Sequence, residues 1–503
     1  MAEAERRRYT SPLCSAGATV AEPAKDSVGK RVISGFRWLA MARLAGQAGT
    51  WVVTLVVIRL LTPDDYGLMA MATIVIGFFA LLEEFGMGAA ITQRSELPDG
   101  LVSKVFGVVI LVNSTAAVLL LLLAHPMAAF FDEPRITPII WVLTLRFPLL
   151  TMLTIPQAML DRRMQFKRKA MVIFVAMITG SVISLILALS GAGVWSLVYS
   201  SIGATLVRTI GMNLAARHFE WPSFSFKGMR EVVTFGGQVT VMRVLWYVYS
   251  KADVFVIGRL LGKEVLGLYA VAMQLASLPM KKLAANVNEV GFVGFSRLQD
   301  DKAEIARQFM RATELVAIFS FPVFFGISTI APEIVTVILG PEWIGAIVPL
   351  QLLSLSCPLR MINQVLNSAL LGIGKADVAL VNTGLTTVIL PASFLFGAQY
   401  GLVGVCWAWI IGFTLCFAAI AYRSLPLLHV SRAQYVKLIL AFAASAGTMW
   451  IAVSLARQAV TYSGTPPGVY SLAALIAVGA GVFGLIALTL HRSSAALALK
   501  MVR

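Results

Sequence analysis

RLLTPDDYGLMAMA at Arg59–Ala72 returns 200 positions later as RLLGKEVLGLYAVA at Arg259–Ala272. Seven of the 14 residues coincide (Arg, Leu, Leu, Gly, Leu, Ala and Ala), where composition alone gives about one. The same offset pairs Arg43 with Arg243, each in the apolar segment that precedes its copy. The repeated unit reads as the end of one apolar helix, a short turn and the start of the next. A duplication of this kind predicts two structurally equivalent halves.

Composition fixes the setting. Of the 503 residues, 58% are hydrophobic and 13% charged, about half the charged fraction of an ordinary globular chain. Stretches of roughly 20 apolar residues recur from Trp38 to Leu490, each long enough to cross about 30 Å of hydrocarbon. The expected fold class is an all-α polytopic membrane protein. A net charge of +16 could suit nucleic acid, but Lys and Arg sit in short loops with no interleaved aromatics, so nucleic acid is excluded as a partner. The four cysteines and four histidines show no ligand spacing, and no G-x-x-x-x-G-K-[ST] loop is present, so neither a metal nor a cofactor is expected.

Fourteen spans are expected, among them Val105–Ala124 as the third, Ile136–Ala158 as the fourth, Leu266–Leu283 as the eighth and Ala312–Ile330 as the ninth. The distribution of basic residues tests this count. Loops assigned to the cytoplasm hold 30 of the 41 Lys and Arg, outer loops hold five, and six lie inside spans. One missed span would scramble that alternation, so both termini are expected in the cytoplasm. The expected organisation is a tail with an amphipathic lead-in (1–37), a first half of helices 1–6 (38–231) and a second of helices 7–12 (232–430). Helices 13–14 and a tail follow (431–503). Six helices per half give both halves the same orientation in the membrane.

The six intramembrane cations are Arg43, Arg146, Arg208, Arg243, Lys251 and Arg360. A charge at mid-bilayer costs roughly 2.5–3.5 kcal/mol even on lenient scales, so these side chains are expected to face a polar interior. Arg146 and Arg243 lie ten and eleven residues into their spans, about 15 Å deep, too far to reach the interface easily. Arg43, Arg208 and Arg360 lie nearer the cytoplasmic end, where snorkelling competes. Lys251 and Asp253 are two apart and do not face each other on a helix, so each needs another partner. The acidic side is thin: Glu83 and Glu84 close the second span and, with Asp253, are the candidate coupling or ion-pair partners. A surplus of guanidinium groups favours an anionic headgroup, because the Arg fork matches oxyanion geometry.

Several strings, taken in order, resemble the Wzx-type polysaccharide exporters, the colanic-acid exporter branch in particular. VIRLLTPDDYGLMAMA and FGMGAAITQR look like their start, and FFDEPRI (Phe130–Ile136), LDRRMQFKRKA (Leu160–Ala170), GFSRLQDD (Gly294–Asp301) and ILGPEW (Ile338–Trp343) follow in the same order. The resemblance covers about residues 30–430. It implies the superfamily of MATE antiporters and the lipid II flippase, with two six-helix lobes working by alternating access at the bacterial inner membrane. It implies movement of undecaprenyl-pyrophosphate-linked oligosaccharide across that membrane for exopolysaccharide or lipopolysaccharide synthesis. Related proteins place cavity arginines on the first helix of each lobe, and Arg43 and Arg243 match by helix. The expected partners are the lipid-linked oligosaccharide, membrane lipid, and polysaccharide polymerase and co-polymerase proteins. Two other readings stay open at this point: a MATE-like drug antiporter, and a polymerase or ligase acting on lipid-linked sugars. The short outer loops weigh against an enzyme.

Overall fold

The computed structural model describes residues 49–83, 100–217, 220–225, 244, 247–248, 250–296, 301–462 and 468–490, with backbone alone at 82–83, 281–294 and 461. The expected tails and lead-in, Arg43, Glu84 and Arg243 lie outside the described residues. All regular structure among the described residues is helical. In chain order the helices are α1 (Gly49–Leu60), α2 (Pro63–Glu83), α3 (Leu101–Phe131), α4 (Ile136–Thr144), α5 (Arg146–Arg162), α6 (Phe166–Leu189) and α7 (Val194–Ala216). Then come α8 (250–260), α9 (Gly262–Ser296), α10 (Lys302–Glu333), α11 (Ile347–Gly372), α12 (Ala376–Ala398), α13 (Gly401–Ser424), α14 (Arg432–Tyr462) and α15 (Val469–Leu490).

Ten membrane-length apolar helices occur among the described residues. The other four expected spans are the first and seventh, described in part, and α7 and α9, which carry more polar residues. The helices run past the expected span ends: α3 begins at Leu101 and ends at Phe131, and α10 begins at Lys302. Hydropathy marks the hydrocarbon, whereas the helical hydrogen bonds continue into the polar ends.

Local chemistry explains the main junctions. Thr62 and Asp65 form a reciprocal cap at the start of α2: the Thr62 amide donates to Asp65 Oδ2 at 3.1 Å, and the Asp65 amide to Thr62 Oγ1 at 3.4 Å. Pro63 takes the first helical position, where its missing N–H costs nothing. Asp65 Oδ1 also accepts from the amide of Val194 at 2.9 Å, so one carboxylate serves the starts of α2 and α7. The expected fourth span is broken at Leu145. Pro148 cannot donate to the carbonyl of Thr144 and crowds it, which ends α4 there and starts α5 at Arg146.

Small residues let helices approach. In α6 the buried set is Ala170, Ala176, Gly180, Ser184 and Ala188, a stripe that faces α7. A β-carbon at Gly180 would press on Ala204, and one at Gly211 on Val172. The α12–α13 pair closes in the same way through Gly397 and Gly404. Helices α3–α7 pack mainly on one another, as do α9–α13, and the heaviest packing between the two sets joins α2 to α9. α14 lies on α10, and α15 on both. α15 buries only Leu475, Gly479, Phe483 and Ala487, one stripe at four-residue spacing, and its remaining faces are apolar surface suited to lipid.

Candidate functional site

The duplicated motif meets its own copy. Gly67 on α2 and Gly267 on α9 are partners in the repeat. A β-carbon on Gly67 would run into the carbonyl of Lys263, and one on Gly267 into the carbonyl of Pro63. Pro63 and Lys263 are themselves repeat partners, so the contact is two-fold. The repeated arginines reach outward from it: Arg59 donates to the carbonyl of Val337 at 3.2 Å, and the guanidinium of Arg259 lies 5.8 Å from the ring centre of Phe130. Trp343, wholly buried, donates from Nε1 to the carbonyl of Ile58 at 2.9 Å and stands edge-on to Tyr66. Three of the strings that carry the resemblance, VIRLLTPDDYGLMAMA, FFDEPRI and ILGPEW, therefore meet in this seam.

Four charges add to it. Lys263 Nζ lies 2.7 Å from Glu133 Oε2 and 3.4 Å from Asp64 Oδ2, and Arg135 lies 2.9 Å from Glu133 Oε1 and 3.7 Å from Asp64. The Arg135 hydrogen bond, followed by that of Lys263, outweighs burial and holds the Glu133 carboxyl down at about 2. Hydrogen bonding to Glu133 also raises both cations above their ordinary values. Arg135, Lys263, Glu133 and Asp64 are all expected in outer loops, but nothing in sequence spacing joins them.

The intramembrane cations divide into neighbourhoods. Arg208 on α7 is half-buried and donates from Nη2 to Gln157 Oε1 on α5 at 2.7 Å. Two more bonds tie the same helices: Thr209 Oγ1 to the carbonyl of Leu149 at 3.0 Å, and Asn213 Nδ2 to the carbonyl of Met152 at 3.0 Å. Arg146 is half-buried at the start of α5. Glu83 closes α2, where backbone alone is described.

Lys251, Asp253 and Arg360 come together in the second set of helices. Asp253 on α8 is 3% exposed and accepts from the hydroxyl of Tyr269 and, at 2.8 Å, from the amide of Val254. Tyr269 in turn accepts from Trp409 Nε1 at 2.7 Å. The guanidinium of Arg360 lies 4.2 Å above the Trp409 ring, with Nη1 3.8 Å from Met273 Sδ. Lys251 and Arg360 are the cations whose charge bears on the Asp253 carboxylate. The partner that spacing required for Asp253 is thus a tyrosine, not the lysine two positions away. Sequence reasoning missed Tyr269 and Trp409. The available signal was the repeat itself, in which Tyr269 stands where the first copy has Met69. No group of three or more metal-ligating side chains occurs among the described residues.

A membrane protein that is helical throughout its described residues, and whose repeated motif meets its own copy, has the architecture of a transporter built on an internal duplication. Residues 56–348 match the family described as polysaccharide biosynthesis protein, and the chain belongs to it. It is similar to the lipopolysaccharide biosynthesis protein WzxC of Escherichia coli, 25% identical over 75% of this chain and 78% of that one. It is also similar to the succinoglycan biosynthesis transport protein ExoT of Rhizobium meliloti, 24% identical over 76% and 77%. Among solved structures it resembles the lipid II flippase MurJ in an inward closed conformation, with a TM-score of 0.73 at 13% identity over 91% of this chain and 99% of that one. An inward-facing MATE transporter gives 0.61 at 15% identity, over 77% and 95%. The expected all-α fold and exporter resemblance are both met.

Proposed function

We propose that this chain is a Wzx-type flippase, carrying lipid-linked oligosaccharide units across the inner membrane for polysaccharide biosynthesis. The observation that carries the reading is a set of half-buried cations, Arg146, Lys251 and Arg360, inside the spans of a member of this family. Cationic side chains in hydrocarbon are retained where an anion or a polar path repays their desolvation, and a pyrophosphate supplies four or so acceptor oxygens to guanidinium forks. The polyprenyl tail stays in lipid while the headgroup passes between two lobes, 38–231 and 232–430, which rock about the Gly67–Gly267 contact.

Loop charges assign the α1–α2 turn to the periplasmic side. The seam then closes the outer end, and the headgroup enters from the cytoplasm. Opening outward must part Lys263 from Glu133 and Trp343 from Ile58. The Lys263–Glu133 pair is part-buried, so parting it is a cost that opening outward must meet. The chain acts as a carrier, with polymerase and co-polymerase proteins taking up its product.

A null strain should accumulate lipid-linked units facing the cytoplasm, and the intact gene should clear them. Arg146→Glu and Arg360→Glu should each leave the units uncleared while the protein remains in the membrane. Full clearance by both variants would remove the cationic path from the mechanism.

A further inference from the structure

The halves share a second element, the turn from α5 to α6 and its twin from α11 to α12. Leu160–Ala170 (LDRRMQFKRKA) and Leu370–Leu380 (LLGIGKADVAL) lie 210 positions apart. The amide of Arg163 donates to Met159 and that of Ile373 to Ala369, both at 3.0 Å. Met164 donates to Asp161 at 3.0 Å, and Gly374 to Leu371 at 3.1 Å. Gln165 donates to Leu160 at 2.9 Å, and Lys375 to Leu370 at 2.8 Å. The middle residue of each turn is left-handed, Met164 at φ 51° and Gly374 at φ 76°. Ile202–Leu206 (IGATL) on α7 and Ile411–Leu415 (IGFTL) on α13 continue the correspondence.

The same backbone carries opposite side chains. A left-handed residue is disfavoured when it has a β-carbon, so the turn asks for glycine at its middle. The second half supplies it. The first keeps Met164 there, 74% exposed, and Phe166 is 51% exposed where the twin has Ala376. Around them stand Arg162, Arg163, Lys167, Arg168 and Lys169 with the one carboxylate of Asp161, whereas the twin holds only Lys375 and Asp377. Lys169 takes up Asp161 at 2.6 Å, and Arg163, Lys167 and Arg168 are exposed. Arg163 donates from Nη1 to the carbonyl of Ala216 at 2.9 Å, beside the exposed Arg217, which extends the basic patch.

We propose that the α5–α6 turn is a docking surface for anionic phospholipid of the surrounding leaflet. Its cations meet the headgroup phosphates, and Met164 and Phe166 dip among the acyl chains beneath them. The proposal goes beyond the flippase reading and stands independently of the cargo. Exposed cations beside a bilayer are drawn to anionic lipid, and apolar side chains between them add burial at the acyl boundary. A strained residue persists where something repays it, and a buried thioether tip repays a left-handed methionine.

Three observations favour bulk lipid as the occupant. α6 has 24 residues, about 36 Å at 1.5 Å per residue against roughly 30 Å of hydrocarbon, so its first turn stands at the membrane boundary. α6 packs on α7 and, more lightly, on α5, both of the first set, whereas the sets join at α2 and α9. The turn thus faces the surrounding membrane and not a headgroup passing between the halves. The bias of basic residues towards the cytoplasm acts on all short loops of that side and would load both turns alike, yet it is the first that is loaded.

The test uses the full chain in nanodiscs of phosphatidylcholine alone or with about 30% phosphatidylglycerol as the anionic lipid. Hydrogen exchange of peptides covering 160–169 is compared with that of peptides covering 370–379, the built-in control. The anionic lipid should slow the first about threefold or more and leave the second unchanged. Salt at about 1 M, which screens charges beyond about 3 Å, should abolish the slowing. Met164→Gly relieves the backbone and should hold or raise the melting temperature, yet lose at least half of the slowing. Lys167→Gln with Arg168→Gln, both at exposed positions, should lose at least half as well. No slowing, equal slowing of the two turns, or full slowing in both variants overturns the docking surface.

Discussion

The crevice between α5 and α7 and its counterpart between α11 and α13 descend from one repeated unit and have been finished in opposite ways. In the first, Arg208, Thr209 and Asn213 tie α7 to α5 by three hydrogen bonds. In the second, the amide oxygens of Asn363, Gln364 and Asn382 are buried with no hydrogen-bond partner among the described residues. The two halves thus differ in whether the polar atoms between these helices are satisfied from within.

The comparison is broken most directly by giving the second crevice the first one's filler. Ile420→Arg brings a guanidinium to the space lined by Asn363, Gln364 and Asn367. The melting temperature in nanodiscs should hold or rise, because the added donors can serve amide oxygens that now have none. The reverse change comes next in size. Arg208→Leu strands the Gln157 amide and should destabilise the protein by about 1–3 kcal/mol, read as a lower melting temperature, and adding Gln157→Leu should recover most of that loss. Asn382→Leu should have the opposite sign in ligand-free protein, because it removes an amide oxygen that has no partner. It should leave stability unchanged or raise it by about 1 kcal/mol.

The smallest effect concerns acid. Neither crevice holds a carboxylate, so their contrast should be insensitive to pH, and the seam is the place to look. The Glu133 carboxyl is depressed from 4.5 to about 2. Its stabilisation is therefore complete above 4.5 and is lost as pH falls towards 2. The deficit in melting temperature of Glu133→Gln relative to the parent should be constant from pH 8 to 5 and shrink only below that.

Much of this was legible in the chain. The repeat singled out this stretch without predicting that its copies would touch, and the structure brings Gly67 and Gly267 together because a glycine pair is what a backbone-on-backbone crossing demands. Helix spacing predicted that Asp253 would need a partner other than Lys251, and it finds one in Tyr269. The break before Arg146 follows from Pro148. What stayed hidden were neutral groups. Asn363, Gln364, Asn382 and Tyr269 carry no formal charge, so a search for ionised side chains passes over them, although an unpaired amide in an apolar interior is itself costly. The seam's ionic cluster was hidden for another reason: Asp64, Glu133 and Lys263 lie on three separate turns, and only the packed helices make them neighbours. The lobe boundaries and the membrane orientation remain proposals, resting on the repeat and on loop charge.

The crossing of α2 and α9 has an ancestry written into it. Surfaces that touch their own copies, residue for residue, hold symmetric dimers together, and here Gly67 faces the carbonyl of Lys263 just as Gly267 faces the carbonyl of Pro63. The molecule is in effect a dimer whose subunits were joined end to end. A precursor of half the length could have paired with its twin through this same glycine, inserted in the bilayer in a single direction.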